Sequence, residues 1–301
     1  MDGPSPPLWF ERPPHSLRVL PAGAIAEVAA ARIAAALRAV LARRGRAVFL
    51  PSAGRTPLAT YALLRATHRK GVDWSRVVCV QMDGYEGLGD RDQRGFAAEL
   101  RRELVEPLGI GRFLHFHGPD GELRQPLPAY ERAVRALGGI DLAVQGLGRN
   151  GHIGFNEPGD ARAEATRRVR LAPSTRAANG VPFTHGVTLG LGVLGEARET
   201  LVLATGAAKR EAARALLFRP EGVFNPAAAV RRCGRVSVLL DPEAAPEPLL
   251  RTAALERAAA VPPLRADAWV GKAGRPDDAP PAVGGRTGFS RQPPGSAAPA
   301  S

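Results

Sequence analysis

Between Gly146 and Gly159 the chain reads Gly-Leu-Gly-Arg-Asn-Gly-His-Ile-Gly-Phe-Asn-Glu-Pro-Gly, which concentrates five glycines, a histidine and a glutamate in one stretch. Glycines let backbone approach a ligand closely, at an entropic cost in folding. His152 and Glu157 stand five residues apart with Pro158 fixing the exit, so a non-helical turn can point both side chains into one site. A connecting loop with an exposed histidine has the same composition, and the motif alone leaves both readings open.

Three further stretches carry residue types suited to chemistry. Ser52-Ala-Gly-Arg-Thr-Pro57 joins a strand-like run to a helix-like one. Small residues, a hydroxyl and free N–H groups at a helix start make an anion site, although an ordinary strand-to-helix turn reads the same way. Ala204-Thr-Gly-Ala-Ala-Lys209 repeats the arrangement with Lys209 on the first helical turn. A cation there opposes the helix dipole, so an anionic ligand explains it better than stability does; a solvated lysine is the alternative. Asp83 ends the apolar run that begins near Arg76. Aspartate is disfavoured inside strands, so it marks either a site or a cap.

The elements that must position these residues alternate. Strands are expected at Ser16–Leu20, Ala47–Leu50, Arg76–Asp83, Phe113–His117, Asp141–Gln145, Val187–Leu189, Thr200–Ala204 and Arg235–Leu240. Helices are expected at Ala22–Arg44, from Pro57 to about His68, and at about Asp92–Val105, Pro128–Leu137 and Ala208–Leu217. This rhythm gives right-handed strand–helix–strand units. The expected fold is α/β, modified Rossmann-like, a mostly parallel sheet flanked by helices in a single domain. Ligands of such sheets bind beyond the carboxyl ends of the strands, where all four stretches lie. The domain is expected at residues 16–266, after a Pro-rich leader at 1–15. A disordered Gly/Pro/Ala-rich tail is expected at 267–301, where periodicity is lost.

Composition removes other classes. No run approaches the ~20 apolar residues of a membrane span, and the first residues lack a basic-then-apolar signal pattern. A cytoplasmic protein without membrane partners is expected. Cys79 and Cys233 are too few for a disulfide framework and lack metal-ligand spacing. The net charge of +12 comes almost wholly from scattered arginines that are not interleaved with aromatics. It supports no nucleic-acid partner.

Taken together, the signature at 146–159, Gln81-Met-Asp-Gly-Tyr-Glu-Gly-Leu88, Ser174-Thr-Arg-Ala-Ala-Asn179, Gly186-Val-Thr-Leu-Gly-Leu191 and Thr205-Gly-Ala-Ala-Lys209 resemble glucosamine-6-phosphate deaminases, and more closely their galactosamine-6-phosphate relatives. The likeness spans about residues 16–250. Ala53-Gly-Arg-Thr-Pro57 also resembles the phosphate loop of the 6-phosphogluconolactonases in the same superfamily. The resemblance implies an aldose amino phosphate whose ring opens, whose C2 proton moves to C1 and whose ammonia is lost to water. It assigns proton transfer at the ring oxygen to His152, with Glu157 orienting or charging the ring, and the carbon-to-carbon transfer to Asp83. Ala53, Gly54, Arg55, Thr56, Gly151 and Lys209 are implied to hold the substrate and its phosphate. Neither metal nor organic cofactor is required. The implied partners are a phosphorylated amino sugar and, as an option, further copies of the chain.

The chain departs from the deaminase pattern at Asn150, where an acidic residue is usual. Asparagine supplies no charge to the imidazole but can hold its tautomer by hydrogen bonding, and the galactosamine branch resembles this chain there. Gly84 replaces an acidic residue. An arginine expected near Val181 is absent, leaving Arg55, Arg176 or His185 to compensate. Poorly kept allosteric positions imply no activation by sugar phosphates. A lactonase and a non-catalytic sugar-phosphate-binding protein are the competing readings.

Overall fold

The computed structural model of the chain describes residues 8–250. The tail expected at 267–301 lies outside the described residues. Ten strands are described: β1 Ser16–Val19, β2 Ala47–Pro51, β3 Val77–Val80, β4 Asp83–Tyr85, β5 Arg112–Leu114, β6 Leu142–Gly146, β7 Arg167–Arg170, β8 His185–Thr188, β9 Glu199–Ala204 and β10 Arg235–Leu240. Seven form one parallel sheet in the order β1-β10-β9-β6-β2-β3-β5. The α/β class and the parallel sheet flanked by helices are as expected.

The first helix, α1 (Ala22–Arg44), buries Ile25, Ala29, Ile33 and Leu37 at four-residue spacing. It stops at Gly45, whose φ of 73° lets its N–H reach Leu41 O at 2.9 Å. Helix α2 (Leu58–Thr67) follows β2. Every residue of β2 is buried, as a central strand covered on both faces requires. Apolar residues fill two layers, one on each face of the sheet.

Strand β2 is followed by β3 on one side, whereas β6 returns to its other side and leads on to β9 and β10. The β2/β6 junction is therefore the point where strand order reverses, and the loops leaving both strands diverge around a crevice.

The structure corrects several expected elements. The strand expected at Arg76–Asp83 breaks after Val80. Gln81, 2% exposed, donates its amide to Asp83 O at 2.9 Å and receives Phe116 N at 3.1 Å, while Tyr130 donates its hydroxyl to Gln81 O at 2.8 Å. These side-chain bonds replace the ladder and turn the chain, so that Asp83 opens β4 instead of closing β3. Strand β4 pairs antiparallel with β8, and β8 with β7, in a second sheet that apolar periodicity did not reveal. The helix expected from Asp92 starts later, as α3 (Phe96–Leu100), because Asp92 and Gly95 close a turn at 2.8 Å. It continues through a π-helical turn, Arg101–Val105, into α4 (Glu106–Leu108). Strand β5 ends at Leu114 and β8 at Thr188. Helices α5 (Leu127–Ala136), α6 (Pro173–Asn179), α7 (Leu191–Gly195) and α8 (Arg210–Phe218) complete the part that bears on the site. Of the leader expected at 1–15, residues 9–15 pack on the domain: Phe10 is 4% exposed, Trp9 Nε1 donates to Leu217 O at 3.0 Å, and His15 Nδ1 accepts from Val236 N at 3.1 Å. Among the described residues no helix is long and apolar enough to cross a membrane.

Candidate active site

Strand β2 delivers Ser52–Pro57 into the crevice. Ser52 N donates to Val144 O at 3.0 Å and Tyr61 donates its hydroxyl to Ser52 O at 2.7 Å, which pins the loop between β6 and α2. Gly54 has φ +93°, a conformation side-chain-bearing residues rarely adopt. Its N–H donates to the Glu99 carboxylate of α3 at 2.7 Å.

Strand β6 delivers the signature loop. Gly148 N donates to His152 O at 3.0 Å and Gly151 N to Gly148 O at 3.1 Å, closing a tight turn with Arg149 and Asn150 at its centre. A Cβ on residue 148 would lie 2.3 Å from the His152 ring, so glycine is needed there for the imidazole to take its place. Further along, Phe155 N donates to Thr188 Oγ1 at 3.2 Å, and Asn156 donates to Ile153 O at 3.0 Å and Leu189 O at 2.9 Å. These buried bonds fasten the loop to the second sheet.

His152 faces a carboxylate held from three sides. Glu157 Oε2 lies 3.3 Å from His152 Nδ1 and accepts Asn150 Nδ2 at 2.7 Å, and Thr175 donates its hydroxyl to the other oxygen. Burial would raise the Glu157 pKa, but His152, Thr175 and Asn150 together hold it below the ordinary glutamate value. A carboxylate against Nδ1 favours the proton on that nitrogen, leaving the ring's free lone pair on Nε2. Asn150 therefore acts on the imidazole in a way the sequence did not suggest. Its amide grips Glu157, and its Oδ1 accepts the backbone N–H of His152 at 3.2 Å.

From β9 comes Lys209, which donates to Leu147 O in the signature loop. Burial, with Arg149 and Arg55 close by, brings its pKa down to about 8. Asp83 is 6% exposed, and burial followed by the Glu99 carboxylate pushes its pKa up to about 7. It pairs in register with Thr188, the residue that accepts the Phe155 amide, while Glu99 holds Gly54. Asp83 is thus joined to the signature loop through Thr188, and Glu99 acts on it as a nearby like charge.

A cavity of about 880 Å³ opens between these loops, walled by Ala53, Gly54, Arg55, Thr56, Asn150, His152 and Lys209 of the expected set. Glu157 stands behind His152. Gly151 is buried and accepts Ala227 N at 3.1 Å through its carbonyl. Asp83 lies on β4 outside the immediate wall. Arg149 and Thr175 also line the cavity, whereas Arg176 and His185 do not. Both newcomers stood inside quoted motifs without a role; Glu99 had no local signal, because only the fold brings α3 to β2. Among the described residues no group of three or more His, Cys, Asp or Glu is placed to hold a metal ion.

An open parallel sheet whose carboxyl-end loops enclose a cationic cavity beside a histidine–glutamate pair defines the candidate active site of an α/β enzyme. Residues 21–238 match the family described as Glucosamine-6-phosphate isomerases/6-phosphogluconolactonase, and the chain belongs to that family. Similar relatives include the glucosamine-6-phosphate deaminases of Streptomyces avermitilis, 38% identical over 71% of this chain and 86% of that protein, and of Pseudarthrobacter chlorophenolicus, 36% identical over 70% and 85%. A solved monomeric glucosamine-6-phosphate deaminase superposes with a TM-score of 0.67 at 28% identity, covering 76% of this chain and 98% of that one. The 6-phosphogluconolactonase of Thermotoga maritima shares the fold at 19% identity, with a TM-score of 0.61 over 75% and 98% of the two chains.

Proposed function

We propose that the protein converts an amino-sugar 6-phosphate and water reversibly into the ketose 6-phosphate and ammonia. The observation that carries this is Asp83. A buried carboxyl on β4, joined through Thr188 to the signature loop and with its pKa pushed up to about 7, is suited to accept and return a proton near neutral pH. Moving a proton from C2 to C1 of an opened amino sugar needs one such group. The resulting C2 imine is then hydrolysed, its nitrogen leaving as ammonia. Ring opening falls to His152, whose Nε2 exchanges a proton at the ring oxygen while Glu157 holds Nδ1. The cationic wall receives the phosphate.

Galactosamine 6-phosphate is proposed as the preferred epimer, because Asn150 and its neighbours resemble the galactosamine branch. The curated relatives described above carry the glucosamine name. The test is ammonia release from both epimers by the purified full chain, beside His152→Ala and Asp83→Asn. Release from either sugar, lost in both variants, is expected. Rapid hydrolysis of 6-phosphogluconolactone that survives Asp83→Asn, with no ammonia from either sugar, would replace the proposal with a lactonase.

A further inference from the structure

We infer that Arg149 is the specificity-determining residue for the substrate phosphate and couples that phosphate to the loop carrying His152. The inference deepens the proposed function and rests on it for the identity of the substrate.

The charge of the cavity wall is one-sided. Arg55, Arg149 and Lys209 line it, and among the described residues no aspartate or glutamate does. Many arginines elsewhere find carboxylates, among them Arg44 and Arg198 with Asp141, Arg167 with Asp160, and Arg232 with Glu164 and Glu221. Arg149 has neither an ion pair nor a side-chain hydrogen bond among the described residues. Its positive charge and that of Arg55 act instead on Lys209, the third cation of the same wall. Arg149 adds its charge to a wall that holds a second cation, Lys209, and no acidic side chain among the described residues, so a ligand that supplies negative charge explains the arrangement.

The phosphate loop is less free than its sequence suggests. The Gly54 N–H is committed to Glu99 at 2.7 Å, so one donor expected to meet the phosphate points elsewhere. A guanidinium across the cavity makes up that loss, because its planar fork donates two bonds to one phosphate. Arg176, considered above as a substitute for the missing arginine, donates to Pro182 O at 3.3 Å and lies off the wall. Arg149 occupies the turn closed by the Gly148–His152 and Gly151–Gly148 bonds. A phosphate on Arg149 therefore fixes the backbone from which the imidazole projects.

The test compares Arg149→Gln, Arg149→Lys and Arg176→Gln in the full chain. Inorganic phosphate binding is read by calorimetry, and KM and kcat are read with the amino-sugar 6-phosphates. Arg149→Gln is expected to weaken phosphate and raise KM about 10- to 100-fold, as loss of a charge-assisted pair does, while kcat falls less. Arg149→Lys keeps the charge but not the fork and falls between, and Arg176→Gln matches wild type. Unchanged phosphate affinity and KM in Arg149→Gln would overturn the inference. If wild type binds phosphate, loses it in Arg149→Gln and turns over neither sugar, the proposed reaction fails while the role of Arg149 stands.

Discussion

Asn150 donates its side-chain amide to Glu157 at 2.7 Å and accepts the His152 backbone N–H at 3.2 Å, so one neutral side chain fixes both partners of the imidazole–carboxylate pair. Asn150→Asp would turn the donor into a second carboxylate facing Glu157. Like charges at that distance favour protonation, so the Glu157 pKa rises from its depressed position. The acid limb of kcat should move to higher pH and kcat at neutral pH fall about tenfold, as expected for a misheld base. A pH–rate profile that superposes on wild type would show that position 150 does not govern the pair.

Asp83→Asn should remove ammonia release by about three orders of magnitude, the scale of a lost general base. Its stability effect has the opposite sign. The folded pKa of about 7 lies above the unfolded value of 3.8, so the carboxyl favours the native state below pH 3.8 and loses that contribution as pH rises through 7. The variant should therefore gain on wild type between pH 4 and pH 7, by at most roughly 4 kcal/mol, and stay level above. Urea denaturation of both proteins across that range measures it, and a pH-independent difference would contradict the burial of the charge.

Gly148→Ala should displace the imidazole, because the new methyl would stand 2.3 Å from the ring. A shift of about 1 Å costs on the order of 100-fold in rate, against only about 1–3 kcal/mol of stability for the overpacking. Thermal melting beside ammonia assays separates the two. Equal loss of folding and activity would mean that the turn, not the ring, is disturbed.

Lys209 is expected to set an alkaline limit. With its pKa lowered to about 8, it loses charge above that pH and ceases to attract phosphate. The ratio kcat/KM should then decline from about pH 8, while Lys209→Arg, always charged, should hold its own ratio level to about pH 10. A decline at the same pH in both proteins would assign the limit to another group.

Much of this was legible in the order of residues, because parallel strands and their helices impose local periodicities. The uninterrupted burial of β2, the four-residue spacing of α1 and its stop at Gly45, and the glycine loop after β6 are each written over a few neighbouring positions. So are the types His152, Glu157 and Asp83. Tertiary structure decided how they act. Strand β4 exists because Gln81 and Tyr130, 49 residues apart, bond there. Asn150 serves the histidine through Glu157 because Thr175 of α6 closes the group from the other side. Glu99 reaches Gly54 from a separate helix and adds to the rise that burial gives the Asp83 pKa. Hydrogen bonds and charges act over a few ångströms of space, whatever the distance along the chain. A sequence therefore names the chemical groups at a site, and the packing of remote segments sets their partners and protonation.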